Sequence, residues 1–257
     1  MLREKIQKKE KMTGTHTYMT DITAAKIIAL AGYDYIWLDL EHSYKSYENV
    51  LADIIAIKAT DTAVIVRVPQ DDLATTKKVL DIGVDGIIFP MVRTAEQANA
   101  LIASTLYPPY GTRGFGPINA VDYGYEDIQA YVDSTKTNVC RFVQIEHIDA
   151  IKNLDEIMKN EFIDGYIFGP NDLSGSINEL GNIYGERNIG LIKEAIAKLK
   201  AAGKYIGLST GEISYEKLKY WSDMGIDMIS TGSDYSFIKQ AALEVRKTLE
   251  EAHKFNK

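Results

Sequence analysis

The chain has 257 residues, of which 46% are hydrophobic and 25% are charged, as in ordinary globular proteins. A net charge of −7 gives no sign of the clustered Lys and Arg that bind nucleic acid. No apolar stretch approaches the roughly 20 residues that cross a bilayer, and the basic start lacks the apolar segment of a signal peptide. Cys140 is the only cysteine, which excludes an intrachain disulfide and a thiolate metal cluster. We expect a cytoplasmic protein in which residues 1–257 form a single domain.

Eight short apolar runs are predicted strands, at residues 15–19, 32–38, 63–66, 83–89, 139–145, 163–168, 205–208 and 225–230. The second, fourth, sixth and eighth begin alike, with a turn followed by an aspartate (Asp34, Asp85, Asp164 and Asp227). Each of these four follows a stretch with the apolar spacing of a helix. A helix that ends in a turn and leads into a buried strand is the second half of a βα unit.

Eight such units of about 30 residues match the length of a closed (β/α)8 barrel, the TIM barrel. An open, doubly wound sheet is the competing fold, but no Gly-x-Gly-x-x-Gly motif follows the first strand. The stretch 107–117 is too rich in proline and glycine for regular structure. It is predicted to be a long loop that either runs along the barrel or packs against a neighbouring subunit.

Polar residues follow four of the predicted strands, where barrel enzymes place their chemistry. Asp39 and His42 follow strand 2, and Arg67 ends strand 3. Glu146 ends strand 5, and Asp172 follows strand 6. Since the carboxyl ends of all eight strands meet at one rim, these side chains are expected to converge.

Glu146 and Asp172 are the candidate metal ligands, because two carboxylates without Cys or His partners suit Mg²⁺ or Mn²⁺. The alternative is structural: Glu146 pairs with Arg67 or Arg141, and Asp172 caps a turn. His42 with Asp39 suits proton transfer, although His42 also fits the approach to a helix.

Arg67 is suited to bind a carboxylate or an oxyanion of a substrate through its guanidinium. The alternative is a structural salt bridge to a carboxylate of the same rim. His147 is expected to start the helix after strand 5, and Cys140 to lie in the core. His16, on strand 1, either lines the pocket or is a hydrogen-bonded core residue.

Six motifs occur in an order that resembles one family, the HpcH/HpaI aldolases, which are metal-dependent class II pyruvate aldolases. In chain order they are Trp37-Leu38-Asp39-Leu40-Glu41-His42-Ser43, Arg67-Val68-Pro69, Phe89-Pro90-Met91-Val92, Tyr107-Pro108-Pro109-Tyr110-Gly111-Thr112-Arg113-Gly114, Val143-Gln144-Ile145-Glu146 and Gly169-Pro170-Asn171-Asp172-Leu173-Ser174.

The resemblance implies cleavage of a 4-hydroxy-2-keto acid to pyruvate and an aldehyde, through an enolate stabilised by a divalent metal. It assigns Glu146 and Asp172 to the metal, with Mg²⁺ or Mn²⁺ expected and Co²⁺ or Zn²⁺ as alternatives. It makes His42 the catalytic base, with Asp39 as its partner, and Arg67 the group that stabilises the enolate. The substrate-binding residues implied in this way are Arg67, Gln144, Gly169, Pro170, Asn171, Asp172 and Leu208.

The resemblance also implies a short N-terminal helix and a hexamer in which the C-terminal helix is exchanged between subunits. The chain departs from the family pattern at Gly14-Thr15-His16, at residues 174–182 and at Ser209-Thr210-Gly211. These positions are expected near the aldehyde, so the natural substrate is left open. Two alternatives are kept: a citrate-lyase or malyl-CoA type of lyase, and a barrel that binds without catalysis.

Overall fold

A computed structural model describes residues 2–254, in which eight parallel strands form a closed barrel in chain order. The strands are β1 (Met12–Thr17), β2 (Tyr35–Asp39), β3 (Ala63–Arg67), β4 (Gly86–Phe89), β5 (Cys140–Ile145), β6 (Gly165–Phe168), β7 (Ile206–Thr210) and β8 (Met228–Ser233). The predicted (β/α)8 barrel is therefore confirmed. Strand β1 begins three residues earlier than predicted, because Met12 and Thr13 already pair with β8.

Helices precede, connect and follow the strands. They are α1 (Leu2–Gln7), α2 (Ile22–Ala29), α3 (Tyr47–Lys58), α4 (Leu73–Ile82), α5 (Ala95–Ala103), α6 (Ile128–Asn138), α7 (Ile148–Lys152), α8 (Leu154–Ile157), α9 (Pro170–Ser176), α10 (Glu186–Ala201), α11 (Tyr215–Asp223) and α12 (Asp234–Lys254). The short N-terminal helix is thus present. None of the helices within residues 2–254 combines the length and the apolar character needed to cross a bilayer.

The four repeated aspartates have one structural role, at the amino ends of the strands. Their carboxylates accept hydrogen bonds from the backbone N–H groups of the preceding strand, at Thr13, Val64, Arg141 and Ile206, over 2.7–3.0 Å. Each aspartate also donates its own N–H to the carbonyl of that same residue. The aspartates therefore fix the registers of β1 with β2, β3 with β4, β5 with β6, and β7 with β8.

Two apolar layers enclose the strands, and helix α1 closes the lower end of the barrel. One layer lies between sheet and helices, and the other fills the interior with rings such as Tyr35, Trp37 and Phe142. Glycine makes room for them, since a Cβ on Gly14 would lie 2.2 Å from the Tyr35 ring. Leu2 and Ile6 of α1 pack against this interior layer.

Helix α1 is held in place by Arg3. One Nη of Arg3 donates to Asp164 and to the carbonyl of Val139, each over 2.8 Å. The apolar layer and the helix beneath it fill the lower part of the barrel, so the polar chemistry is confined to the upper rim.

The segment 107–117 contains no helix or strand, as predicted, and is followed by a 3-10 turn at Asn119–Gly124. Buried Arg113 anchors it, donating to Asp81 of α4 over 2.8 Å and to the Tyr131 hydroxyl of α6 over 3.2 Å. Within its own chain the loop therefore runs along the barrel, and its packing against a neighbouring subunit stays a prediction.

Candidate active site

A cavity of about 280 Å³ opens at the carboxyl ends of the strands. Ten of its lining residues lie at or just beyond the ends of β1, β2, β3, β5 and β6, including the first turn of α9: His16, Tyr18, His42, Arg67, Gln144, Glu146, Gly169, Pro170, Asn171 and Asp172. The residues from β7, β8 and the start of α12 are Ser209, Thr210, Gly211, Gly232, Ser233, Tyr235 and Ser236. The predicted convergence at one rim is therefore observed.

Arg67 lies at the centre of a buried polar network. Its guanidinium forms an ion pair with Asp39 and a second with Glu41, where Nη1 and Oε2 are 3.0 Å apart. Nη1 also donates to the Gln144 side chain over 3.4 Å. Burial alone would lower the pKa of Arg67, but Asp39 and Glu41 outweigh it and hold that pKa above its ordinary value. Arg67 is thus a fixed cation at the cavity wall. It also forms the salt bridge to rim carboxylates that the sequence offered as the alternative to a substrate contact.

Asp39 contacts His42 through the main chain. One carboxylate oxygen accepts the backbone N–H groups of Glu41 and His42, over 2.9 and 2.8 Å, while the other faces Arg67. The His42 side chain is 65% exposed, and its Nε2 lies 3.8 Å from the Glu41 carboxylate. Asp39 therefore fixes the loop that carries His42 but does not contact its ring, so the expected pairing of the two side chains is not observed, and the ring faces the cavity mouth.

Glu146 is the most deeply buried carboxylate of the cavity wall. Its two oxygens accept hydrogen bonds from the Met91 N–H over 2.8 Å and from Gln144 Nε2 over 2.7 Å. Burial raises the pKa of Glu146 to about 8, with a smaller contribution from the negative charge of Asp172. The alternative of an ion pair with Arg141 does not hold, since Arg141 donates to Thr105 and to carbonyls below the rim.

Gly169 gives the Glu146 carboxylate its space. A Cβ at Gly169 would lie 2.4 Å from Glu146 Oε2 and 3.0 Å from its Cβ, so no larger residue fits without displacing that side chain. Asp172 follows in the first turn of α9 and is exposed to the cavity. Within residues 2–254, no group of three or more His, Cys, Asp or Glu side chains forms a metal cage. The protein therefore offers an ion two carboxylates, one buried and one exposed.

Leu208, expected to bind substrate, does not line the cavity. Its side chain is buried in the layer between sheet and helices, because successive residues of a strand point to opposite faces. Ser209 and Thr210 line the cavity instead. The sequence interpretation also gave no role to Glu41 or to the end of β8, although Ser233 there comes soon after the predicted apolar run 225–230, much as the recognised rim residues follow theirs.

Two further expectations are confirmed. His147 begins α7, where its Nδ1 accepts the N–H of Asp149 over 3.1 Å, and Cys140 is fully buried. For His16 both alternatives hold together. The ring is buried and hydrogen-bonded, and it also contributes to the cavity wall.

Comparison with known proteins agrees with this geometry. Residues 14–240 match the sequence profile of the HpcH/HpaI aldolase/citrate lyase family. The chain belongs to this family. A hydroxypyruvate/pyruvate aldolase of Deinococcus radiodurans is 33% identical over 225 residues, 87% of this chain and 80% of that protein. A 2-keto-3-deoxy-L-rhamnonate aldolase of Escherichia coli is 32% identical over 233 residues, 90% of this chain and 86% of that protein.

Among solved structures of the HpcH/HpaI family, an aldolase from Desulfitobacterium hafniense superimposes with a TM-score of 0.90. It is 26% identical, and the match covers 98% of this chain and 97% of that one. The family assignment drawn from the six motifs is therefore confirmed.

Proposed function

We propose that this HpcH/HpaI protein is a class II aldolase that reversibly cleaves a 4-hydroxy-2-keto acid to pyruvate and an aldehyde. The observation that carries the proposal is the rim network, in which a fixed cation, Arg67, and a buried carboxylate, Glu146, are linked through Gln144 at one cavity. Aldol cleavage leaves negative charge on the former keto oxygen, and a pre-positioned cation lowers the energy of that charge.

A divalent metal fits the pair formed by Glu146 and Asp172. Burial makes the ionised form of Glu146 costly, and a neighbouring dication would offset that cost. Oxygen ligands suit Mg²⁺ or Mn²⁺, with Co²⁺ or Zn²⁺ as alternatives, and water and the keto acid would complete the coordination. When bound there, the ion would supply Lewis-acid polarisation of the keto oxygen.

The remaining residues hold the substrate and move a proton. We assign the keto-acid carboxylate to the first-turn N–H groups of Asn171 and Asp172, which have no intrahelical acceptor. Gly169 and Pro170 place that turn beside Glu146. Arg67 faces the developing oxyanion. The exposed imidazole of His42 takes the proton of the C4 hydroxyl as the carbon–carbon bond breaks.

The charges of the cavity favour a small keto acid over a thioester of coenzyme A. Among the described residues that line it, Arg67 is the only Lys or Arg, and it is engaged by Asp39 and Glu41. A coenzyme carrying several phosphates would need further cations. We therefore rank the citrate-lyase or malyl-CoA type of lyase below the aldolase.

The proposed assembly is a hexamer in which α12 is exchanged between subunits. This 21-residue helix begins at the rim, and its body carries the exposed apolar side chains Ile238, Val245 and Leu249 at the spacing of one helical face, with exposed Leu243 on another. Contiguous exposed apolar surface is a common mark of a protein interface, which supports a partner subunit along this helix.

Exchange of the pyruvate methyl protons in D2O, followed by NMR, tests the chemistry. We expect exchange with Mg²⁺ or Mn²⁺, none after EDTA treatment, and at least a 100-fold loss, about 2.7 kcal/mol, in Asp172→Ala. Asp149→Ala is the matched control, because Asp149 also lies in the first turn of a helix after a strand but does not line the cavity. Wild-type protein that binds metal and pyruvate without exchange would indicate the non-catalytic barrel.

A further inference from the structure

The cavity wall opposite Arg67 and Glu146 carries a second hydrogen-bonded unit, the pair of His16 on β1 and Ser209 on β7. His16 Nε2 lies 3.0 Å from the Ser209 hydroxyl, and Nδ1 lies 2.8 Å from the carbonyl oxygen of Gly232, near the end of β8. Both side chains line the cavity, with His16 almost completely buried and Ser209 half-buried. The proposed proton transfer and enolate stabilisation do not use this pair.

The geometry fixes which atom of the pair donates. A carbonyl oxygen can only accept, so the proton of His16 lies on Nδ1 and points at Gly232. Nε2 is then unprotonated and accepts the hydroxyl proton of Ser209. Burial lowers the pKa of His16 to about 4, so the ring keeps this neutral form throughout the neutral range.

Ser209 is consequently left as an acceptor. Its one proton is directed at His16, and its two lone pairs remain for the cavity. A substrate hydroxyl can donate to this oxygen, whereas a methyl group, a carbonyl or a carboxylate cannot. Buried polar sites of this kind discriminate strongly against analogues that lack the matching group.

The position of the pair identifies which part of the substrate it meets. Arg67, Glu146 and Asp172, assigned above to the keto acid, come from β3, β5 and the turn after β6. His16 on β1 and Ser209 on β7 lie across the closed barrel from β5 and β3, the strands of Glu146 and Arg67, and β7 is also the neighbour of β6. A 4-hydroxy-2-keto acid that places its C1–C3 end near Glu146 directs its distal carbons toward β1 and β7.

We infer that Ser209, oriented by His16, is a specificity-determining residue that selects an uncharged aldehyde bearing a hydroxyl group next to the carbonyl. The inference rests on the proposed aldolase function and names the substrate class of that same cavity. It also disfavours an aldehyde carrying a carboxylate, because the cation among the described lining residues is Arg67, already paired with two carboxylates.

Competing aldehydes with pyruvate as the common donor test the inference. Glycolaldehyde and propionaldehyde differ by a hydroxyl in place of a methyl, and glyoxylate carries the carboxylate instead. We expect wild-type protein to prefer glycolaldehyde over propionaldehyde in kcat/KM, and Ser209→Ala to reduce that ratio about tenfold, the loss expected for one hydrogen bond. Ser209→Thr retains the hydroxyl and is expected to stay within about threefold of the wild-type ratio.

His16→Phe tests the orientation separately. It leaves the Ser209 hydroxyl free to rotate and donate, so the relative rate with glyoxylate should rise while that with propionaldehyde does not. Because each result is a ratio within one variant, a general loss of stability or activity cancels.

The two proposals fail differently. If pyruvate exchanges its methyl protons and Ser209→Ala keeps the wild-type aldehyde ratio, the specificity assignment is overturned while the aldolase stands. The specificity assignment is also overturned if Ser209→Ala changes the aldehyde ratio only when hydroxypyruvate replaces pyruvate as the donor. Ser209 would then contact the keto acid and not the aldehyde. Absence of both exchange and aldol product would reject the proposed function itself.

Discussion

The contact between Gly169 and Glu146 gives the sharpest test of the proposed metal site. Replacing Gly169 by alanine adds a Cβ that would lie 2.4 Å from Glu146 Oε2. The side chain cannot simply bend away at its tip, because the same Cβ would lie 3.0 Å from the Cβ of Glu146. Glu146 must therefore shift as a whole, away from the hydrogen bonds that it accepts from Met91 and Gln144.

The cost follows from these contacts. Forcing a methyl group into a packed site costs about 1–3 kcal/mol, and weakening a hydrogen bond to a buried carboxylate costs a further 1–2 kcal/mol or so. We expect a loss of about 3 kcal/mol in the free energy of unfolding. For a chain of this size that loss lowers the melting temperature by roughly 6–12 °C. Metal affinity is expected to fall by more than tenfold, since the carboxylate leaves its position.

The assay is thermal unfolding with and without Mn²⁺, together with a Mn²⁺ titration. Gly211→Ala is the matched control, because Gly211 lines the same cavity but a Cβ there meets nothing within 4 Å. Its melting temperature should stay within about 2 °C of wild type. A Gly169→Ala variant with wild-type melting temperature and wild-type Mn²⁺ stabilisation would refute the assignment of Glu146 as a ligand held against this glycine.

Two further predictions concern other parts of the molecule. The unfolded chain protonates His16 near pH 6.5 but the folded chain only near 4, so His16 removes stability as the pH falls through this window. Between pH 7.5 and 5.0 this effect lowers the free energy of unfolding by about 2 kcal/mol. Urea unfolding at the two pH values should show that His16→Asn loses this part of the pH dependence. An unchanged pH dependence in the variant would contradict the buried neutral ring. For the hexamer, light scattering should show smaller species for the double variant Val245→Glu/Leu249→Glu. Lys247→Glu, also exposed on α12, is the control for the change in charge. A double variant that remains hexameric would exclude α12 from the interface.

The barrel was predictable from the sequence because burial on both faces forces continuous apolar strands, and because four aspartates mark where strands begin. The error at β1 has a physical cause. Met12, Thr13 and Gly14 are not an apolar run, yet they pair with β8 and β2 because Gly14 makes room for Tyr35. Such a steric requirement depends on a residue 21 positions away and leaves no local pattern.

The candidate site was predictable only where polar residues end strands. Asp39, Arg67, Glu146 and Asp172 were recognised in this way, and the structure brings them to one rim. Leu208 was misplaced because a one-residue difference along a strand reverses the face, and no pattern in a short apolar run fixes that phase. The pairing of His16 with Ser209 joins strands 193 residues apart, so only the closed barrel reveals it.

The four aspartates at the lower rim also divide the barrel into quarters. Within each quarter an aspartate side chain ties the two strands together. The four junctions between quarters, β2 with β3, β4 with β5, β6 with β7 and β8 with β1, are joined by backbone ladders without such an aspartate. The lower end of the barrel therefore repeats one contact four times, whereas the side chains of the upper rim differ from one pair of strands to the next. A break in the long segment between β4 and β5 would separate two halves with all four of these aspartate contacts intact, and that makes 107–117 the natural place to split or permute this chain.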